Sequence, residues 1–320
     1  RGPWRGEMDR RTFLKGAGTL AATALGLDGI AAKDGRVPRR RLGRTGVELS
    51  IIGLGGIVVA NTEPDEARRI VVEAYERGVN YFDVAPSYGN AEERLGPALE
   101  GLRDKVFLAC KTEKRDRAGA AAELRQSLQR LRTDHFDLYQ LHGLRGMDDL
   151  EKAAGPGGAL EAVAEARKEG LVRWIGFSAH SAEVALEAME RFSFDTILFP
   201  VNFVTWIKAG FGPQVIAAAE KKGMGRLAIK AMALGRMPKG TPRTYPKCWY
   251  QPIDDPRLAS MALRFTLSQP ITAAVPPGDV RLFRMALNAV TERFKPLTKS
   301  ELAELERVAA TADPIFRLAA

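Results

Sequence analysis

Leu49-Ser50-Ile51-Ile52-Gly53-Leu54-Gly55-Gly56 is an apolar run that ends in paired glycines, and the purpose of those glycines separates two architectures. In an open, doubly wound sheet the first strand runs into G-x-G-x-x-G and an acidic residue follows the second strand. The glycines there let a pyrophosphate approach the backbone, and the acid holds a ribose. Residues 53–56 supply only Gly-Leu-Gly-Gly, and the rest of that fingerprint is missing. A tight turn at a strand end is the reading that remains.

Beyond this run the chain keeps one rhythm. Apolar segments of five to eight residues alternate with amphipathic stretches of ten or more, as βα units do around a parallel sheet. Eight strands are predicted: Leu49–Leu54, Val79–Val84, Val106–Lys111, Phe136–Leu141, Val172–Phe177, Thr196–Val201, Arg226–Ala231 and Ile271–Val275. Helices are expected over Asp65–Arg77, Ala118–Arg132, Leu160–Glu169, Ala182–Arg191, Pro213–Lys222, Pro256–Leu267 and Asp279–Val290. Gly78, Gly170 and Gly223 stand where helices should stop. A terminal helix opens at Thr298, with Glu301 in capping-box spacing. The expected fold is a (β/α)8 barrel over residues 39–320, with a short hairpin around Gly43 and Gly46 plugging its floor.

Barrel enzymes carry their chemistry at the C-terminal ends of the strands. The second predicted strand ends at Asp83, the third at Lys111 and the fourth at His142, and Tyr88 follows Asp83 by five residues. One such residue alone is most often a cap or a solvated rim group. On three consecutive strands, scatter is a poor explanation. A free phenol, with a pKa of about 10, is slow to exchange a proton near neutrality. A neighbouring ammonium should lower that pKa, an aspartate should hold the ammonium, and a neutral histidine can orient a substrate oxygen. The set suits protonation of an oxygen while hydride reaches the adjacent carbon. No side chain delivers hydride, so a cofactor is implied.

Asp83-Val84-Ala85-Pro86-Ser87-Tyr88-Gly89, followed by Glu92, resembles the aldo-keto reductase signature D-x-A-x-x-Y-G-x-x-E. Ala109-Cys110-Lys111-Thr112 and Asp137-Leu138-Tyr139-Gln140-Leu141-His142 resemble that family's lysine and histidine strands. The resemblance runs from about Arg40 to the C-terminus. It implies a catalytic tetrad of Tyr88 as general acid/base, Lys111 and Asp83 tuning it, and His142 orienting the substrate. On the cofactor side it implies Ser178, within Ile175-Gly176-Phe177-Ser178-Ala179-His180, and Asn288 at the adenine. Ala179 replaces the usual asparagine, and Leu198 stands where a glutamine is common, with Asn202 as a substitute on the same strand face. Arg284 matches an arginine near the adenosine ribose, where its fork can grip a 2′-phosphate, so NADP is favoured with NAD possible. Gly278 replaces a loop lysine, and the backbone N–H groups near Asp279–Arg281 are expected to help hold phosphate. Lys230, where the family more often has serine, is read either as a pyrophosphate contact or as a solvated rim lysine. His180 is read either as a ligand contact or as the cap of the next helix. Residues 245–250, Tyr-Pro-Lys-Cys-Trp-Tyr, are either a pocket wall or a packing patch.

Composition narrows the partners. Hydrophobic residues are 45% and charged ones 27%, as in an ordinary globular protein. The net charge of +9 would suit nucleic acid, but residues 1–44 hold eleven basic side chains against four acidic. The residues beyond 44 carry 37 basic against 35 acidic, so that stretch lacks a phosphate-binding excess. Two cysteines, Cys110 and Cys248, give no disulfide framework, and three histidines with no spaced carboxylates give no catalytic metal. Within residues 1–38, Asp9-Arg10-Arg11-Thr12-Phe13-Leu14-Lys15 looks like a twin-arginine export signal. The Gly/Ala/Leu stretch from Gly16 to Ile30 is too short and too weakly apolar to span a bilayer. No stable membrane anchor is therefore expected. The export machinery becomes a partner and the periplasm the location, or the cytoplasm if the signal does not function.

The reading is an NADP(H)-dependent oxidoreductase acting on a small carbonyl or sugar. Two alternatives stay open. One is an enzyme that keeps its nicotinamide bound through dehydration, epimerisation or disproportionation. The other is a non-catalytic cofactor-binding sensor or subunit, against which the complete tetrad argues.

Overall fold

The computed structural model describes residues 35–291 and 294–318; the expected export signal lies outside the described residues. Three elements open the chain: β1 (Arg39–Arg41), β2 (Glu48–Ser50) and β3 (Leu54–Gly55). The barrel then unfolds as α1 (Pro64–Glu76), β4 (Tyr81–Asp83), α2 (Ala91–Ala98), β5 (Phe107–Thr112), α3 (Arg117–Arg130) and β6 (Phe136–Leu144). Next come α4 (Met147–Ala154), α5 (Ala159–Lys168), β7 (Val172–Ala179), α6 (Ala182–Arg191) and β8 (Thr196–Pro200). After these follow α7 (Phe203–Ala209), α8 (Pro213–Lys221), β9 (Gly225–Ile229) and a hairpin of β10 (Ala233–Arg236) and β11 (Tyr250–Pro252). The chain finishes with α9 (Pro256–Ser268), β12 (Ala273–Val275), α10 (Val280–Thr291) and α11 (Lys299–Thr311).

Eight strands, β3 through β9 with β12, pair in parallel in chain order. The two ends meet where Ile52 bridges Ala274, with Gly53 N donating to Ala274 O at 3.0 Å. The barrel expected from the sequence is thus the architecture observed. One expectation needs correcting: the run Leu49–Leu54 is not a single strand. Glu48–Ser50 pairs antiparallel with Arg39–Arg41, and only Leu54–Gly55 pairs with β4. Thr298 caps α11 through the reciprocal box with Glu301.

Two apolar layers follow from the period of two along each strand. Outward residues such as Phe82, Leu108, Tyr139 and Phe177 pack beneath the helices. Inward residues Tyr81, Phe107, Ala109, Leu138, Leu198, Leu227 and Ala273 fill the barrel, joined from below by Leu42 and Leu49. The hairpin does plug the floor. Gly43 sits at φ 49°, and a Cβ there would lie 2.4 Å from the backbone nitrogen of Gly225. Both the turn and the close approach therefore require glycine. Gly43→Ala is expected to destabilise the protein by about 1–3 kcal/mol, read as a lower urea midpoint at unchanged m-value.

Candidate active site

The inward stripe turns polar as each strand nears its C-terminal end. On β4 Tyr81 is followed by Asp83, on β5 Ala109 by Lys111, and on β6 Leu138 by Gln140 and then His142, all at spacing two. Register sets Asp83 opposite Ala109 and Lys111 opposite Gln140, so the polar groups cluster on one part of the rim. Just past β4 the chain turns on itself: Tyr88 N donates to Ala85 O at 3.1 Å, and Ala91 N donates to Tyr88 O at 3.2 Å. Gly89 at φ 62° makes that return possible. Tyr88 is thereby held over the mouth, half-buried.

Lys111 is fully buried and its Nζ donates to Asp83 Oδ1, with a second contact to Val84 O at 3.2 Å. The other Asp83 oxygen accepts from Tyr81 Oη at 2.9 Å and Gln140 Nε2 at 3.1 Å. The carboxylate therefore has three partners, as a buried charge requires. Burial pulls the Lys111 pKa down, but Asp83 and then Tyr88 outweigh it, and the ammonium is held charged. Its Nζ lies 5.3 Å from the centroid of the Tyr88 ring.

His142 meets Tyr88 edge to face, with ring centroids 5.9 Å apart at 85°. Burial, then the charges of Lys111, His180, Arg115 and Arg145, drive its pKa down to about 2, so it is neutral at physiological pH. Its backbone is fixed from behind. Arg115, forked onto Asp149, donates to His142 O at 2.7 Å, and Gly143 N donates to Ser178 Oγ at 2.7 Å.

The phenol itself departs from the sequence expectation. Burial raises the Tyr88 pKa above 10; Lys111 lowers it, Asp83 raises it, and the balance stays upward. A protonated phenol beside a fixed ammonium and a neutral imidazole is an arrangement able to give a proton to an oxygen anchored between them.

The residues expected at a cofactor fall in two groups. Near the reacting end, Ser178 is buried at the end of β7, and Asn202 is buried as the N-cap of α7, its oxygen accepting from Thr205 N at 2.9 Å. Asn202 Nδ2 is buried with no partner, and such a donor is costly unless something accepts from it. That orphan suits the amide oxygen of a nicotinamide. At the far end, Gly278 packs tightly: a Cβ there would lie 2.2 Å from Ile57 Cγ2. The structure brings Arg284 and Asn288 to α1 rather than leaving them open, Arg284 forking onto Glu73 at 2.7 Å and Arg77 donating to Asn288 at 2.7 Å. Both are exposed side chains that a ligand could recruit. The expected free N–H at Arg281 is instead taken by Asp279 Oδ1 at 2.9 Å. Lys230 sits against the rings of Trp249 and Tyr250. His180 is not a helix cap, a role filled by Ser181; it stacks on Phe316 at 5.1 Å.

Tyr81 and Gln140 were not among the expected site residues. Each stands two residues before one that was, and counting by twos along the strands would have found them. Among the described residues, no cluster of histidine, cysteine and carboxylates could hold a metal, and no helix is long and apolar enough to cross a membrane.

The sequence model of the Aldo/keto reductase family matches residues 51–310. An uncharacterised oxidoreductase of Bacillus subtilis (strain 168), YqkF, is 26% identical over 298 residues, covering 84% of this chain and 95% of its own. L-galactose dehydrogenase of Arabidopsis thaliana is 27% identical over 236 residues, covering 66% and 70%. The holo form of aldo-keto reductase AKR11C1 from Bacillus halodurans superposes with a TM-score of 0.67 at 25% identity, covering 87% of this chain and 98% of that one.

Proposed function

Because this chain belongs to the aldo/keto reductase family and is an oxidoreductase by that membership, we propose that it moves a hydride between NADP(H) and the carbonyl or alcohol of a small molecule. The observation that carries the reading is the meeting of Tyr88, Lys111, Asp83 and His142 on one rim of the barrel. The nicotinamide, when bound, supplies or accepts the hydride. Tyr88 gives its proton to the substrate oxygen or takes it back, Lys111 steadies the phenolate this leaves, and His142 orients the oxygen. Asp83 keeps Lys111 charged and in place. Ser178 and Asn202 would hold the nicotinamide amide, and Gly278, Arg284 and Asn288 the adenosine half. The Arabidopsis relative is named for a sugar, which puts aldoses beside simple aldehydes as first substrates to try.

Purified protein should change the nicotinamide absorbance when given NADPH with an aldehyde, or NADP⁺ with an aldose. Silence across a broad panel of both would sink the proposal. Arg284 is the specificity test. Its guanidinium must exchange Glu73 for a 2′-phosphate, so Arg284→Ala should weaken NADPH binding about tenfold and NADH binding by less than about threefold. Equal losses in a fluorescence titration would remove the 2′-phosphate contact from the account.

A second reading, retained rather than exchanging nucleotide, draws on the loop between β10 and β11. Lys247 Nζ donates to Val58 O at 3.0 Å, and Arg281 donates to Thr244 O at 3.1 Å while lying 4.5 Å over the Tyr245 ring. These contacts tie the loop to Val58 and to Arg281 at the start of α10, close to Gly278. Export through the arginine pair Arg10-Arg11 suits the same reading, since a folded protein can carry its nucleotide to the periplasm. Nicotinamide released on denaturing protein from its host would support it. Its absence would leave the exchanging enzyme.

A further inference from the structure

Lys230 follows the last residue of β9 in a left-handed backbone, φ 68°, which glycine and asparagine adopt more readily than lysine. Asn61 and Arg132 share that backbone conformation, so what sets Lys230 apart is where its side chain lies. Its Nζ lies 4.7 Å from the centroid of Tyr250 and 5.2 Å from that of Trp249. Aromatic faces stabilise a cation but do not neutralise it, and among the described residues Lys230 pairs with no carboxylate. Burial lowers its pKa to about 8, so it stays mostly charged near neutrality.

Lys230 stands at the C-terminal end of β9, on the same rim of the parallel barrel as Asp83, Lys111 and His142. Its charge bears on His180, after burial the largest influence there, and the charge of Arg145 bears on both His180 and His142. Arg145, just past β6, is exposed and likewise pairs with no carboxylate, its backbone N–H alone meeting Asp149. His180 has its pKa lowered to about 4 and its ring stacked on Phe316, which in turn meets Trp249 at 6.0 Å. Near the reacting end the carboxylates are Asp83, used by Lys111, Glu113, 3.5 Å from His142, and Asp149, forked by Arg115 and within reach of the Arg145 charge. Among the described residues there, Lys230 is thus the cation left without a carboxylate, and it stands beside an apolar wall of Trp249 and Phe316.

We infer that Lys230 receives a carboxylate on the substrate, so that the preferred substrates are aldehydes, ketones or alcohols that are also acids. The inference rests on the reading of the mouth as a hydride-transfer site. A carboxylate brought against a partly desolvated ammonium makes a charge-assisted hydrogen bond and removes the cost of a cation with no counter-charge. The hydrocarbon between carbonyl and carboxylate lies against Trp249 and Phe316.

Benzaldehyde and 4-carboxybenzaldehyde, which differ in that one group, form the test, with wild type compared with Lys230→Met, Lys230→Asn and Lys230→Arg. Asparagine suits the left-handed backbone and guards against a folding defect. For Met and Asn, KM for the carboxylated aldehyde should rise about tenfold to hundredfold. Benzaldehyde kinetics and NADPH affinity, read by fluorescence titration, should stay within about twofold, and Arg should restore most of the loss. Equal changes for both aldehydes would overturn the inference. So would a weakened NADPH affinity with the ratio of the two aldehydes preserved, which would assign Lys230 to the dinucleotide phosphates instead. Either result leaves the hydride-transfer reading standing if wild type reduces benzaldehyde. If wild type reduces neither aldehyde with NADPH or NADH, that reading and this inference fall together.

Discussion

Tyr88→Phe should lower kcat by about 10²–10⁴-fold, the usual contribution of a positioned general acid, and leave NADPH affinity within a few-fold. The ring can keep its place against His142, because the edge-to-face contact at 5.9 Å uses no hydroxyl. What is lost is the proton. The same geometry sets the pH dependence. Burial holds the phenol protonated to beyond pH 10, and His142 with a pKa of about 2 does not titrate near neutrality. Reduction of an uncharged aldehyde such as benzaldehyde by wild type should therefore be flat from roughly pH 6 to 9, with no inflection near 6.5, the ordinary value for histidine. A fully active Tyr88→Phe would show that the proton comes from elsewhere.

The second large effect concerns Lys111 and Asp83 as a pair. Neither meets bulk water, and each is the other's counter-charge. Lys111→Met leaves a buried carboxylate with only Tyr81 and Gln140 as donors. The expected cost is about 3–5 kcal/mol of stability, together with nearly all activity. Asp83→Asn should cost a similar amount by stranding the ammonium. Combining the two should recover most of the stability, because no unpaired charge remains, but none of the turnover. Denaturant titrations of the three variants measure this directly. Additive losses in the double variant would mean that the two charges are not coupled.

The barrel was legible because its signals are local. Strand-length apolar runs and helix-length amphipathic ones each announce themselves within a dozen residues. The misread stretch is instructive. Leu49, Ile51 and Ile52 are equally apolar, and only long-range pairing decides that the run breaks between a floor hairpin and a wall strand. Short helices escaped for a related reason. Ala91–Ala98 contains Gly96 and Pro97, and Phe203–Ala209 spans only seven residues, too little for a period to show. At the site, strand ends and the family signature pointed to Tyr88, Lys111, Asp83 and His142. They could not show that burial would outweigh Lys111 at the phenol, since desolvation depends on the whole surround. Nor could they show Arg284 engaged by Glu73, a pairing 211 positions apart.

Leu42 and Gly43 close the base of the barrel so tightly that no side chain fits at Gly225 without meeting Leu42. The barrel is a cup rather than a pipe: on the proposed function, nucleotide, substrate and product would share one doorway at the rim. Arg44 N donates to Gly223 O at 2.8 Å and joins that sealed base to the wall. A label carried on exposed Glu48 of the floor hairpin leaves the rim at the opposite end undisturbed.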